Sequence, residues 1–123
     1  MAAVSKAGRR KKEAVARFLV RLEKEPYLLY GMYTQANSGT GERCFCAIGL
    51  LWDEAAIALN LPLVWDGDAP SVAFSDVDGF YASRKWLGVG SEWVTEMMTI
   101  NDAADLMTRK QRVIDYVKQT LCA

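Results

Sequence analysis

Cys44 and Cys46 stand one residue apart in the stretch RCFCAIGLLWDEAAIAL, where an apolar helix begins. A thiol at a helix N-terminus sits at the positive end of the helix dipole, which favours the thiolate and so a nucleophile. Gln35, some residues upstream, could donate to an oxyanion, so the local pattern is that of a thiol-dependent enzyme. Such chemistry also needs a base beside the thiol, ordinarily histidine. The chain contains no histidine. That excludes Ser-His and Cys-His dyads and every histidine-containing zinc site, and leaves only a lysine or a carboxylate as base. The plainer reading makes both cysteines small, soft side chains that open a buried helix.

Metal chemistry fares no better. Cys44, Cys46 and Cys122 offer a C-x-C spacing and one distant thiol, and residues two apart on a helix do not share a face. No metal site and no cofactor is expected. Asp66 and Asp68 in WDGDAP, and Asp76 and Asp78 in SDVDGF, suggest calcium, yet neither stretch follows the D-x-D-x-D-G pattern of an EF-hand loop. Asx-turns explain them more simply, and an acid/base pair or an acidic contact segment stays open. SGTGERC lacks the G-K-[ST] ending of a phosphate-cradling loop.

Charge is the remaining source of function. The net is zero, but residues 1–24 carry Lys6, Arg9, Arg10, Lys11, Lys12, Arg17, Arg21 and Lys24 against Glu13 and Glu23. The acids concentrate between Asp53 and Asp105, where only Arg84 and Lys85 oppose them. Either the basic segment lies over the acidic half, or it forms a contact face for an acidic partner or for nucleic acid. In the second case Arg9, Arg10, Lys11, Lys12, Arg17 and Arg21 form the basic face, and Asp66, Asp68, Asp76 and Asp78 an acidic one. Nucleic-acid binding through the basic face would be salt-sensitive and weakly specific. No second helix follows at helix-turn-helix distance.

These residues must be carried by a small scaffold. With 123 residues, 51% hydrophobic and 24% charged, the chain suits one packed domain over 1–123, with residues 1–8 frayed. No apolar run reaches membrane-spanning length and the N-terminus lacks a signal-peptide core, so a cytoplasmic protein without membrane contact is expected. The odd cysteine count agrees with a reducing compartment.

Val15, Phe18, Leu19 and Leu22 give a first helix from about Arg9, ended by Pro26. YLLYGMYTQ reads as a strand or an irregular helix. A second helix, from Glu42 or Arg43 to Leu59, is apolar through Phe45, Ile48, Gly49, Trp52, Ala55, Ala56 and Leu59, widened by Leu50, Leu51 and Ile57. A helix of that kind is central and buried, and Gly49 suits close backbone approach. Asn60–Lys85 reads as irregular, with a short strand near Val72–Phe74. A third helix capped by Ser91 places Val94, Met97, Met98 and Asn101 on one side. The last, about Arg109–Leu121, is opened by a Thr108–Gln111 capping box and turns Val113, Ile114, Val117 and Leu121 inward. The fold class is mainly α: a compact bundle of about four helices with an irregular middle segment and room for a short strand pair.

FCAIGLLWDEA resembles the C-A-[IL]-G-[AL]-L signature of a family of small domains in phages, prophages and actinobacteria to which no activity is assigned. The signature there follows an aromatic-x-Gln stretch and a Gly-rich loop, here Tyr33, Gln35 and NSGTG. TINDAADLMTRKQRVIDYVKQTL is similar to the family's ending, an "ND" followed by a Thr-capped helix. The RCF before Cys46, the long middle segment and the basic first helix depart from the pattern. The resemblance marks Cys46, Gly49, Asn101 and Asp102. It implies a scaffold in which Asn101 and Asp102 order the turn between two helices, or a polar site between them and the Cys46 end of the helix. It also implies a small phage-type accessory protein, not an enzyme, that binds a host macromolecule. An inhibitor of a host defence complex, such as a CRISPR-type nuclease, is the specific expectation. A nucleic-acid binder and a cysteine-dependent enzyme are the alternatives.

Overall fold

The structure is a computed structural model that describes residues 6–30, 34–36, 43–60, 65–66, 69–70 and 79–122, with side chains at 11–30, 44–60 and 82–122. The elements are helix α1 (Lys6–Lys24), strands β1 (Thr34–Ala36) and β2 (Arg43–Phe45), helix α2 (Ala47–Leu59), strands β3 (Trp65–Asp66) and β4 (Ala69–Pro70), and helices α3 (Gly79–Leu87), α4 (Ser91–Ala103) and α5 (Leu106–Leu121). The fold is mainly helical, as the sequence predicts. Each strand pair is antiparallel and short: Gln35 faces Cys44 in the first, and Asp66 faces Ala69 in the second.

The core forms around α2. Its buried residues run Ala47, Ile48, Gly49, Leu50, Leu51 and Trp52, then Glu54, Ala55 and Ala56, which covers most of the helix circumference. Such a helix needs neighbours on nearly every side, and α1, α3 and α4 all pack against it. From α1 come Ala14, Val15, Phe18 and Leu22, from α4 Val94 and Met97, and from α5 Val113, Ile114 and Val117. Each fully buried Leu, Val or Phe contributes about 1.5–3 kcal/mol of transfer free energy. Leu19 and Leu121 pack against this cluster from its margin.

Local chemistry sets the ends. Cys46 is extended (φ −79°, ψ 175°) and caps α2. Asn60 closes that helix in the left-handed region (φ 54°), which asparagine tolerates well. Gly88 closes α3 at φ 79°, its N–H donating to Arg84 O at 2.7 Å. Asp105 caps α5: its Oδ1 accepts from the Thr108 N–H at 2.9 Å and from the Thr108 hydroxyl at 3.0 Å. Those hydrogen bonds, the hydroxyl's first, hold the Asp105 carboxyl below its usual range.

Several sequence expectations are corrected. There are five helices among the described residues, because Gly79–Leu87 is helical inside the stretch read as irregular. Ser83 and Leu87, one turn apart and both buried, form an inward stripe too short to register as periodicity. Helix α2 starts at Ala47, not at Glu42 or Arg43, because Arg43–Phe45 pairs with Thr34–Ala36 first. At the far end of α2, Ile57 and Leu59 face solvent. Lys6–Gly8, expected to fray, belong to α1. The α5 cap is Asp105 in place of the Thr108–Gln111 box, and Gln111 instead bonds Asp115. Gly90, not Ser91, is the N-cap of α4. The strand expected at Val72–Phe74 lies outside the described residues.

The basic helix is partly neutralised within the fold. Arg21 donates through Nη2 to Asp53 Oδ2 at 2.7 Å and through Nη1 to Glu54 Oε2 at 2.8 Å. Arg17 donates through Nε to Glu54 Oε1 at 2.9 Å. Burial alone would lower the pKa of Arg21, but the hydrogen bonds to Asp53 and Glu54 outweigh it and raise it. Glu54 is buried and therefore depends on these partners. The Arg21 and Arg17 side chains are 22% and 46% exposed. Urea denaturation should separate them: Arg21→Ala costs about 1.5–3 kcal/mol, the range for hydrogen bonds to a charged group, and Arg17→Ala under about 1 kcal/mol. Equal losses would contradict this ranking.

Candidate functional site

The four residues marked by the resemblance converge at the N-terminus of α2. The Cys46 Sγ accepts from the Gly49 N–H at 3.4 Å. Asn101, fully buried on α4, accepts from the Ala47 N–H through Oδ1 at 3.2 Å. Its Nδ2 donates to Leu29 O and to Asp102 Oδ1, each at 2.9 Å. The Leu29 N–H donates to Phe45 O at 2.9 Å. Helix α2, helix α4 and the Tyr27–Tyr30 strap are thus tied through one side-chain amide. The first N–H groups of a buried helix have no intrahelical acceptor. Cys46 and Asn101 supply two of the missing acceptors.

This junction does not activate its thiol. Burial pushes the Cys46 pKa up, the Gly49 and Ile48 N–H groups pull it down, and the nearby Asp102 carboxylate pushes it up again. The net rise keeps Cys46 a thiol, against the dipole-driven fall that its position suggested. Cys44 is half-buried, and its Sγ donates to the Tyr27 hydroxyl at 3.3 Å. Cys122 is exposed. Among the described residues no three Cys, Asp or Glu side chains are grouped as metal ligands.

The cap of α5 is Asp105, and the hydrogen bonds of Asn101 to Ala47 and Leu29 lead away from the turn between the two helices. The reach of Asn101 is back to residues 72 and 54 positions earlier in the chain. Sequence reasoning also missed Arg109. Only 7% exposed, it donates to Leu28 O at 2.7 Å and to Ala104 O at 3.1 Å. Its guanidinium lies 5.8 Å from the Tyr30 ring centroid, within cation–π range. Beside it, Lys110 Nζ donates to Glu23 O and Glu25 O, satisfying carbonyls at the end of α1. The signal was present: Arg109 continues the inward stripe of Val113, Tyr116 and Val117 at helical spacing.

The expected contact faces are split by the fold. Arg17 and Arg21 are paired within the fold to Asp53 and Glu54, Arg17 keeping an exposed side chain. Lys11 and Lys12 are exposed, and Arg9 and Arg10 lie on the first turns of α1. Asp66 is on β3, while Asp68, Asp76 and Asp78 lie outside the described residues. No described helix is long and apolar enough to cross a membrane.

Large apolar side chains are left open where the strap meets α5. Tyr30 is 63% exposed, Leu106 56% and Met107 89%. Tyr30 lies over Arg109, one helical turn beyond Leu106. Helix–strap anchoring by Asn101 and Arg109 therefore fixes the base on which these side chains stand.

Comparison with known protein families, with characterised proteins and with solved structures gives no match.

Two outcomes follow from the junction. Asn101→Ala strands the Ala47 N–H and the Leu29 carbonyl, and should cost about 2–6 kcal/mol at roughly 1–3 kcal/mol per unsatisfied buried group; a denaturant midpoint within error of wild type would contradict it. A thiol reagent at neutral pH should label Cys122 and Cys44 in the native protein and Cys46 only on unfolding. Rapid native labelling of Cys46 would overturn its assignment as a structural thiol.

Proposed function

We propose that the protein is a small phage-type accessory protein that acts by stoichiometric binding to a host protein complex and carries no catalysis of its own. The observation that supports this best is the exposure of Tyr30, on the strap, and of Leu106 and Met107, at the start of the helix that holds the strap through Arg109. Tyrosine and methionine are enriched in interface cores, and methionine adapts to a partner's surface. The thiol chemistry that competes with this reading lacks support: Cys46 is buried with its pKa raised, and the sequence offers no histidine. The likeness of FCAIGLLWDEA and the "ND" ending to phage domains favours a host defence complex of the CRISPR nuclease type as the target.

The test is titration against a purified host RNA-guided nuclease complex. Cleavage should fall to its floor near one equivalent of protein, and Met107→Asp should abolish the effect without lowering the melting temperature. Inhibition at a small fraction of an equivalent would indicate an enzyme. Unchanged inhibition by Met107→Asp and Leu106→Asp would remove this surface from the proposal.

A further inference from the structure

The basic side chains left after Arg17 and Arg21 are neutralised do not lie on α1 alone. The stem of Lys11 crosses the turn between α3 and α4 so closely that a Cβ on Gly88 would stand 2.8 Å from Lys11 Cδ. That contact joins the start of α1 to the corner carrying Arg84 and Lys85. Lys11, Lys12 and Lys85 are exposed and Arg84 is half-exposed. None of the four is held in an ion pair among the described residues, in contrast to Arg17 and Arg21.

Beside them Arg84, Lys85, Val89, Gly90 and Ser91 line an open depression of about 340 Å³. Gly90 faces open space, with nothing within 4 Å of where its Cβ would be, and it caps α4 without a side-chain hydrogen bond. The acids nearby in sequence, Glu13 on α1 and Glu92 on α4, are outnumbered two to one by the four cations.

We infer that this composite corner, Lys11 and Lys12 of α1 with Arg84 and Lys85 of α3, binds the phosphodiester backbone of a nucleic acid. Among the residues that line the depression, Val89 is the one with an apolar side chain; the others are two cations, a serine and a glycine. A protein partner would need an apolar core at its contact, whereas a phosphate backbone is held by cations and exposed N–H groups alone. Arg9 and Arg10 precede the cluster on the same helix. Reading α1 alone would place Arg17 and Arg21 in the contact and leave out Arg84 and Lys85; the folded corner does the reverse.

This inference is independent of the apolar cluster at the far end of α1, about 20 Å away at 1.5 Å per residue. It can therefore fail while the proposed protein binding stands.

The experiment is fluorescence anisotropy of the protein with a labelled duplex DNA of mixed sequence, and with one strand of it, at increasing salt. Four phosphate contacts predict that affinity falls about 100-fold between roughly 50 and 200 mM salt. Arg84→Gln with Lys85→Gln should weaken binding at low salt and cut that loss to about tenfold, as two contacts are removed. Lys11→Gln with Lys12→Gln should do the same, while Arg17→Gln should leave the salt dependence unchanged. Stronger binding by the single strand identifies the open backbone as ligand, and stronger binding by the duplex the paired one; either supports the inference. Absence of binding at low salt, equal displacement by polyglutamate, or a slope untouched by the Arg84/Lys85 pair in a variant with wild-type melting overturns it.

Discussion

Helix α2 is apolar around most of its circumference, so it can be stable only where its polar N-terminus is also served from inside the protein. Water cannot reach Ala47 to satisfy its N–H, and the side-chain amide of Asn101 does so instead. The same amide carries the strap through Leu29 O. One side chain thereby sets how α4 crosses α2 and where the chain runs after α1. Helices α1, α3 and α4 each pack against α2, and α5 closes the bundle by packing on α1 and α4.

The elements that could be read from the sequence were those whose cause is local. The apolar stripes of α1 and α5 and the all-round apolarity of α2 are properties of a few turns, and they predicted buried faces correctly at Phe18, Leu22, Leu51, Val113 and Val117. What escaped was decided at a distance. Arg43–Phe45 became a strand because a partner strand lay seven residues upstream of it. Asn101 looked like a turn residue because its backbone partners, the Ala47 N–H and the Leu29 carbonyl, are more than fifty residues away. The spacing of Arg109 with Val113, Tyr116 and Val117 marks it as inward-facing, but nothing local announces that its guanidinium binds a carbonyl 81 positions earlier.

Charge separation along the chain had two readings, internal pairing and an outward face, and the fold divides the residues between them. Arg17 and Arg21 lie opposite Asp53 and Glu54 across the α1–α2 contact. Lys11 and Lys12, about two turns earlier, are exposed, the Lys11 stem lying beside Gly88. A linear count of basic residues cannot make this division, because it depends on where α2 stops running beside α1.

The backbone of residues 23–30 is finished by side chains from the other end of the molecule: Lys110 takes the carbonyls of Glu23 and Glu25, Arg109 that of Leu28, and Asn101 that of Leu29. During synthesis the first helix and its strap leave the ribosome long before these donors exist. Until α5 has emerged, the early segment can collapse but cannot take its final path, so a helix made some eighty residues later completes α1 and its strap.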